Sequence, residues 1–163
     1  MTSSNPAHPW WRKPLDMFVA SRPGAALFRP TAHRIDAVLL RLTRGHMGLT
    51  FGMPTLQLTT TGARSGKQLT VPLLYVRHGD DVVVIGTRFG STQHPGWYYN
   101  LRKQPQATVR VKGERYAVVA RAASAEERER IWPQAVRIYP GYERYLARVG
   151  SREVPIFILA RAA

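Results

Sequence analysis

The sequence predicts a mainly β (α+β) fold, a small barrel of about six antiparallel strands with flanking helices. Three observations lead there. Beyond Met53 the apolar positions switch from helical spacing to a period of two. The strand-like runs follow one another across short turns rich in Gly and Asp, as consecutive hairpins do. Helical segments do not alternate with them, which excludes a doubly wound sheet, whose parallel strands each need a crossover helix.

In chain order, residues 1–30 hold five prolines and an aromatic cluster of Trp10, Trp11 and Phe18. They read as an irregular lead-in that packs over the domain or touches a membrane surface; the barrel domain is read at 31–163. Within it, Ile35, Val38, Leu39 and Leu42 fall at i, i+3, i+4 and i+7, with Thr31 as cap and Gly45 as stop, so one amphipathic helix precedes the strands. Its other face carries Arg34, Arg41 and Arg44.

Leu56, Leu58 and Thr60 then alternate with Gln57, Thr59 and Thr61, GARSGK (62–67) breaks the run, and a second strand follows over Gln68 to Arg77. HGDD (78–81) turns the chain into a third strand, Val82 to Thr87. A further hairpin spans Ala107 to Lys112 and Arg115 to Ala122 across Gly113. Ser124 with Glu127 forms a capping box ahead of a helix bearing Ile131, Trp132, Ala135 and Val136. Pro140 opens a shorter helix to about Val149. VPIFILA (154–160) closes the fold, with Pro155 near a strand start, where proline is tolerated.

The 163 residues carry 24 Lys plus Arg against 10 Asp plus Glu, a net charge of +14, and 44% are apolar. That composition belongs to a folded chain and not to a disordered basic tail. The absence of Cys excludes disulfide scaffolds, thiolate metal sites and thiol nucleophiles. No apolar run approaches the roughly 20 residues of a spanning helix. MTSSNPAHPWWRKP at the start lacks the apolar core of a secretory signal, so a cytoplasmic location is expected. The charge points to a polyanionic partner, either nucleic acid, an anionic membrane or a multiply charged small molecule. Tyr75 and Tyr116 are the only strand aromatics before Phe157, and a nucleic-acid-binding barrel would interleave more of them with its cations; no nucleic-acid partner is expected.

Three segments carry side chains suited to chemistry. The turn TTTGARSGK (59–67) reads as a polar hairpin turn or as an anion site, since Gly62 and Gly66 expose backbone N–H groups beside Arg64, Ser65 and Lys67. It lacks the Walker A spacing. GTRFGSTQHPGWYYNL (86–101) runs from a strand ending in Thr87 and Arg88 through a Gly-rich loop into a short aromatic helix, a favourable place for an anion. There Trp97 reads as core and Asn100 as a helix-end hydrogen bonder. His94 is a candidate base or ligand, yet the histidines at 8, 33, 46, 78 and 94 lack metal-ligand spacing, and no metal site is expected. Tyr139, Tyr142 and Tyr145, at i, i+3 and i+6, suit core packing and a pocket wall equally. A G-x-S-x-G motif, paired carboxylates and a Rossmann fingerprint are missing.

TTTGARSGKQLTVPLLYV (59–76), GTRFGSTQHPGWYYNL (86–101) and IWPQAVRIYPGYERYL (131–146) together resemble the deazaflavin-dependent nitroreductase family. These are split-barrel quinone and nitro reductases of actinobacteria that use coenzyme F420, and the resemblance covers roughly residues 50–160. It implies a split β-barrel related to FMN-binding, pyridoxamine-phosphate-oxidase-like proteins. It also implies hydride transfer from reduced deazaflavin to a quinone, nitroaromatic or activated alkene. By position, Arg64, Ser65, Gly66 and Lys67 would grip the coenzyme's phosphate and acidic tail. Pro72 would sit against the ring, Thr87 and Arg88 beside the ring and linker, and Trp97 and Asn100 along the groove. Tyr139, Tyr142 and Tyr145 match the family's substrate-pocket tyrosines, with Tyr139 or Tyr142 as proton donor and Thr87 stabilising charge on the ring. Leu69 departs from the pattern, since family members commonly have Arg there, and Arg64 stands where relatives often have Lys. The shared fold leaves FMN, or haem, as the alternative cofactor. Peripheral docking to a membrane through Trp10, Trp11, Arg12, Lys13 and the helix at 32–44 is compatible with lipid-soluble quinones. A monomer or a homodimer is expected.

Overall fold

A computed structural model of the chain describes residues 53–162; the lead-in at 1–30, the boundary at 30/31 and the helix at 31–45 lie outside the described residues. The strands are β1 (Thr55–Thr61), β2 (Gln68–His78), β3 (Asp81–Ile85), β4 (Gln106–Val111), β5 (Glu114–Ala122) and β6 (Ile156–Arg161). Helices α1 (Gly96–Lys103), α2 (Ala125–Ile138) and α3 (Gly141–Leu146) complete the described fold, with one 3-10 turn at Arg88–Gly90. All ladders are antiparallel and close a barrel in the order β1-β2-β3-β6-β5-β4.

The hydrophobic pattern of each strand decides where it sits. In β1, Leu56, Leu58 and Thr60 are buried while their neighbours are not, the alternation of a strand with one wet face. β3 (DVVVI) and β6 (IFILAR) are almost continuously apolar, and both are covered twice. Val82, Val84, Phe157 and Leu159 join the cluster that also holds Leu56, Leu58, Val109 and Val118. Val83, Ile85, Ile156 and Ile158 face the other way, onto Ile131, Ala135 and the tyrosines of α2 and α3. The helical insert therefore packs on the outside of the two strands whose sequence cannot tolerate water on either face. Trp97 and Leu101 of α1 enter the first cluster, with Trp97 edge-on to Phe157 at 6.0 Å between ring centroids.

Local signals explain the connections. Lys112 and Gly113 both take positive φ (48° and 88°) and form the two-residue loop that a right-twisted hairpin favours. At α2 the capping box is complete. The Ser124 Oγ accepts from the Glu127 N–H at 3.2 Å, and the Ser124 N–H donates to Glu127 Oε2 at 2.8 Å. Arg121 grips the same carboxylate with both guanidinium nitrogens, at 2.7 and 2.8 Å.

Two strand ends differ from the periodicity. The third strand, expected to reach Thr87, stops at Ile85: the Gly86 N–H still donates to the Pro155 carbonyl at 2.8 Å in register with β6, but Pro155 has no N–H to return and the chain turns left-handed at Arg88. The last strand, expected from Val154, starts at Ile156, since Pro155 has no N–H to give a ladder. The short helix ends at Leu146, earlier than the expected Val149.

Two predictions follow from these contacts. The Arg121 fork, and after it the Ser124 N–H, hold the Glu127 carboxyl at about 2, against an ordinary 4.5. Its contribution to stability is fully present above pH 4.5 and is lost as pH falls from there through about 2. The melting temperature of Glu127→Gln should accordingly vary less over that window than that of the wild type. Gly141 lies against the Tyr139 ring, where an added Cβ would meet ring carbons at 2.3 Å. Gly141→Ala must displace Tyr139 and should cost about 1–3 kcal/mol by denaturant unfolding.

Candidate functional site

A break in the barrel wall positions the site. Through Gln68–Leu74, β2 pairs with β1, and it meets β3 only from Tyr75 (opposite Val84) to His78. One more step of that ladder for each residue would set Thr87 opposite Pro72. The chain leaves before that, at Gly86, where an added Cβ would lie 2.5 Å from Pro155 Cγ. Among the described residues the second flank of Gln68–Leu74 therefore has no strand partner. Pro72 stands in that open flank, where a residue without an N–H is tolerated.

At the top of the open flank lies the turn between β1 and β2. It is closed by Gly62 N–H to Lys67 O and Gly66 N–H to Gly62 O, both 2.8 Å, with Gly66 at φ 66°. Buried Asn100 on α1 ties it down. Its Oδ1 accepts from the Ala63 N–H at 2.9 Å and its Nδ2 donates to Thr60 Oγ1 at 2.9 Å. Lys103, one turn further along α1, donates to the Ala63 carbonyl at 2.6 Å. Arg64, Ser65, Gly66 and Lys67 are exposed, and the Ser65 Oγ accepts from the Lys67 N–H. Among the described residues the Arg64 and Ser65 N–H groups meet no acceptor. N–H groups and two cations exposed on a glycine turn are the chemistry that suits an anion.

The other end of α1 adjoins the 86–95 loop. Arg88, Phe89 and Gly90 follow one another at φ 48°, 55° and 75°, a run of left-handed residues that is costly for the two that are not glycine. Side chains hold it in place. Arg88 Nη1 donates to Gln93 Oε1 and to the His94 carbonyl, both at 3.0 Å. Arg152 donates to the carbonyls of Gly86, Thr87 and Ser91 at 3.0–3.1 Å. Thr87 is buried. The His94 ring stacks on Tyr98 with centroids 4.0 Å apart, and its Nδ1 lies 3.3 Å from Arg152 Nη1. Burial, then the Arg152 and Arg102 charges, lower the His94 pKa from 6.5.

Tyr139, Tyr142 and Tyr145 are all buried. The hydroxyls of Tyr139 and Tyr145 are 3.0 Å apart and share a hydrogen bond. Tyr142 packs edge-on to Tyr139, and burial, then Tyr145, push its hydroxyl well above the ordinary tyrosine range. Tyr145 also meets Phe89 edge-on at 6.0 Å, which joins the tyrosines to the 86–95 loop.

The residues singled out from sequence thus divide. Arg64, Ser65, Gly66 and Lys67 sit together on the exposed turn; Pro72 and Thr87 flank the break; and the three tyrosines form one buried cluster. Trp97 points into the barrel core, as its core reading has it, and Asn100 spends its polar atoms on the turn. Arg88 is engaged with its own loop. Lys103 and Arg152 escaped the sequence reasoning, because neither belongs to a motif and Arg152 is one of 20 arginines. Among the described residues no group of three or more His, Cys, Asp or Glu side chains could hold a metal ion, and no helix is long and apolar enough to cross a membrane.

Comparison with known proteins identifies the family. The family model described as F420H(2)-dependent quinone reductase matches residues 32–161. The chain is 31% identical over 134 residues to an F420H(2)-dependent quinone reductase of Mycobacterium tuberculosis, covering 78% of this chain and 89% of that one. A solved F420-H2-dependent reductase superposes with a TM-score of 0.60 at 36% identity, over 65% of this chain and 93% of its own. A second solved structure, a domain-swapped dimer, gives 0.62 at 33% identity, over 77% and 93%. The chain belongs to the F420H(2)-dependent quinone reductase family: it is a split-barrel oxidoreductase whose cofactor is coenzyme F420.

Proposed function

We propose that the chain binds F420H2 along α1 and the open flank of β2, and that it passes a hydride to a quinone seated between the loop at 86–95 and the tyrosines. The observation that carries this reading is the spacing of two unlike surfaces. The anion-binding turn and the break between Pro72 and Thr87 adjoin opposite ends of α1, whose eight residues span about 12 Å. A coenzyme with a flat ring at one end and a phosphodiester and carboxylate tail at the other suits that pair.

When bound, the reduced deazaflavin supplies a hydride. The chain's own residues bind, aim and exclude water. Arg64, Ser65, Gly66 and Lys67 hold the tail by charge and backbone N–H groups. Exposed Leu69 offers no charge where relatives have Arg, and Lys103 beside the same turn is the substitute. Pro72 gives the ring an apolar wall, with Thr87 and Arg88 at its edge. Trp97 and Asn100 keep α1 in register with the turn.

The acceptor needs a proton as well as a hydride. The donor is Tyr139, paired with Tyr145, or Tyr142, whose neutral, donating form is favoured further by burial. General acid help of this kind contributes about 10²–10⁴-fold. Nitroaromatics and activated alkenes make the same demand, so the site would accept them too.

Fluorescence titration with F420, run beside FMN, tests the cofactor, and oxidation of F420H2 with menadione or a nitroaromatic tests the reaction. F420 should bind and menadione should turn over. Failure of both overturns the reading, and release of FMN from a yellow preparation replaces the cofactor. Arg64→Ala and Lys67→Ala should each weaken F420 binding about tenfold and lower its salt dependence, with kcat little changed. Asn100→Ala should lower affinity and melting temperature together, at about 1–3 kcal/mol, because it leaves the Ala63 N–H and Thr60 hydroxyl unpaired.

A further inference from the structure

Arg152 lies outside every motif and precedes β6, yet it makes more side-chain contacts to the 86–95 loop than any residue of that loop makes to itself. Its Nε donates to Ser91 O at 3.1 Å and its Nη2 to Thr87 O at 3.0 Å. Its Nη1 hydrogens divide among Gly86 O at 3.1 Å, His94 Nδ1 at 3.3 Å and the Glu153 carbonyl at 3.4 Å. Four of these five acceptors belong to the loop, from Gly86 to His94. Among the described residues no carboxylate pairs with this guanidinium. Glu153 turns its side chain to Arg128 at 3.2 Å.

We propose that Arg152 is a positioning residue that presets the coenzyme end of the site, by donating to the Gly86 carbonyl, which Pro155 has no N–H to serve, and to the Thr87 carbonyl, and by fixing the orientation and tautomer of His94. The inference rests on the reading that the break between Pro72 and Thr87 receives the deazaflavin ring. A fork of donors aimed at several carbonyls explains how the loop stays left-handed at Arg88 and Phe89 without a ladder to hold it. It also settles the imidazole. A guanidinium can only donate, so the His94 Nδ1 facing it must accept and the ring proton sits on Nε2.

The groups around His94 are Arg152, Arg102, Glu153 and the Tyr98 and Tyr99 rings, with Arg88 on its carbonyl. Removing the Arg152 cation removes a charge that opposes protonation. In Arg152→Gln the His94 imidazole, followed by ¹⁵N NMR and identified with His94→Gln, should titrate closer to 6.5 and show mixed tautomers. Wild-type protein should titrate lower as the Nε2–H form. F420 affinity, measured per folded molecule, should fall at least about tenfold in Arg152→Gln. Arg152→Lys should not restore it, because one ammonium cannot replace a planar fork.

An unchanged His94 titration overturns the proposal, as does full F420 affinity in the folded fraction of Arg152→Gln or full rescue by Lys. Should Arg152→Gln fail to fold, Arg152→Lys carries the affinity readout, and full F420 affinity in it overturns the proposal. A shifted His94 titration in a protein whose wild type binds no F420 leaves the positioning intact and overturns the ligand instead.

Discussion

One missing hydrogen bond shapes the molecule: opposite Gly86 the β3–β6 ladder meets Pro155, whose carbonyl accepts the Gly86 N–H but which has no N–H to return. Everything at the candidate site depends on it. Had β3 continued, Gln68–Leu74 would be sealed, Pro72 would sit inside a sheet that needs its missing N–H, and Thr87 would be a strand residue. The few ladder bonds forgone are worth about 0.5–1.5 kcal/mol each in net terms. The Arg152 bonds to Gly86 O, Thr87 O and Ser91 O are charge-assisted and roughly twice as strong, so the loop is held about as well as a strand would be while leaving the wall open.

Helix α1 links that opening to the glycine turn. Trp97 and Leu101 anchor it in the barrel core, while Asn100 and Lys103 reach out to the glycine turn. A buried amide with both polar atoms satisfied is stiff, because either bond lost would leave an unpaired group in a dry place. The turn is thereby tied to the core and can face an anion without rearranging. On the far side, the tyrosines of α2 and α3 pack against the outer face of β3 and β6 and touch the 86–95 loop through Phe89 and Tyr145. Donor and acceptor halves of the proposed reaction thus share one loop.

Much of this was legible in the residues themselves. The six strands, the Lys112-Gly113 hairpin and the Ser124 capping box rest on neighbours within a few positions, and each stands within about two residues of its expected place. The burial of β3 and β6 on both faces came only with the helices packed outside them. The turn at 62–67 could be picked out because glycines beside hydroxyls and cations are a local pattern. The end of β3 could not, since its cause sits at Pro155, some 70 positions along the chain. Arg152 was hidden among many arginines for the same reason, and Asn100 read as a helix end because its partner Ala63 is distant in sequence.

By itself, then, the sequence determined a small antiparallel barrel, its order of elements and the turn suited to an anion, because periodicity, turn chemistry and caps act over short distances. The tertiary structure alone decided where the barrel splits, that Arg152 bonds to the splitting loop, and that Asn100 ties α1 to the glycine turn. These are contacts between segments far apart in the chain, set by closure of the barrel and by which carbonyls closure leaves unpaired.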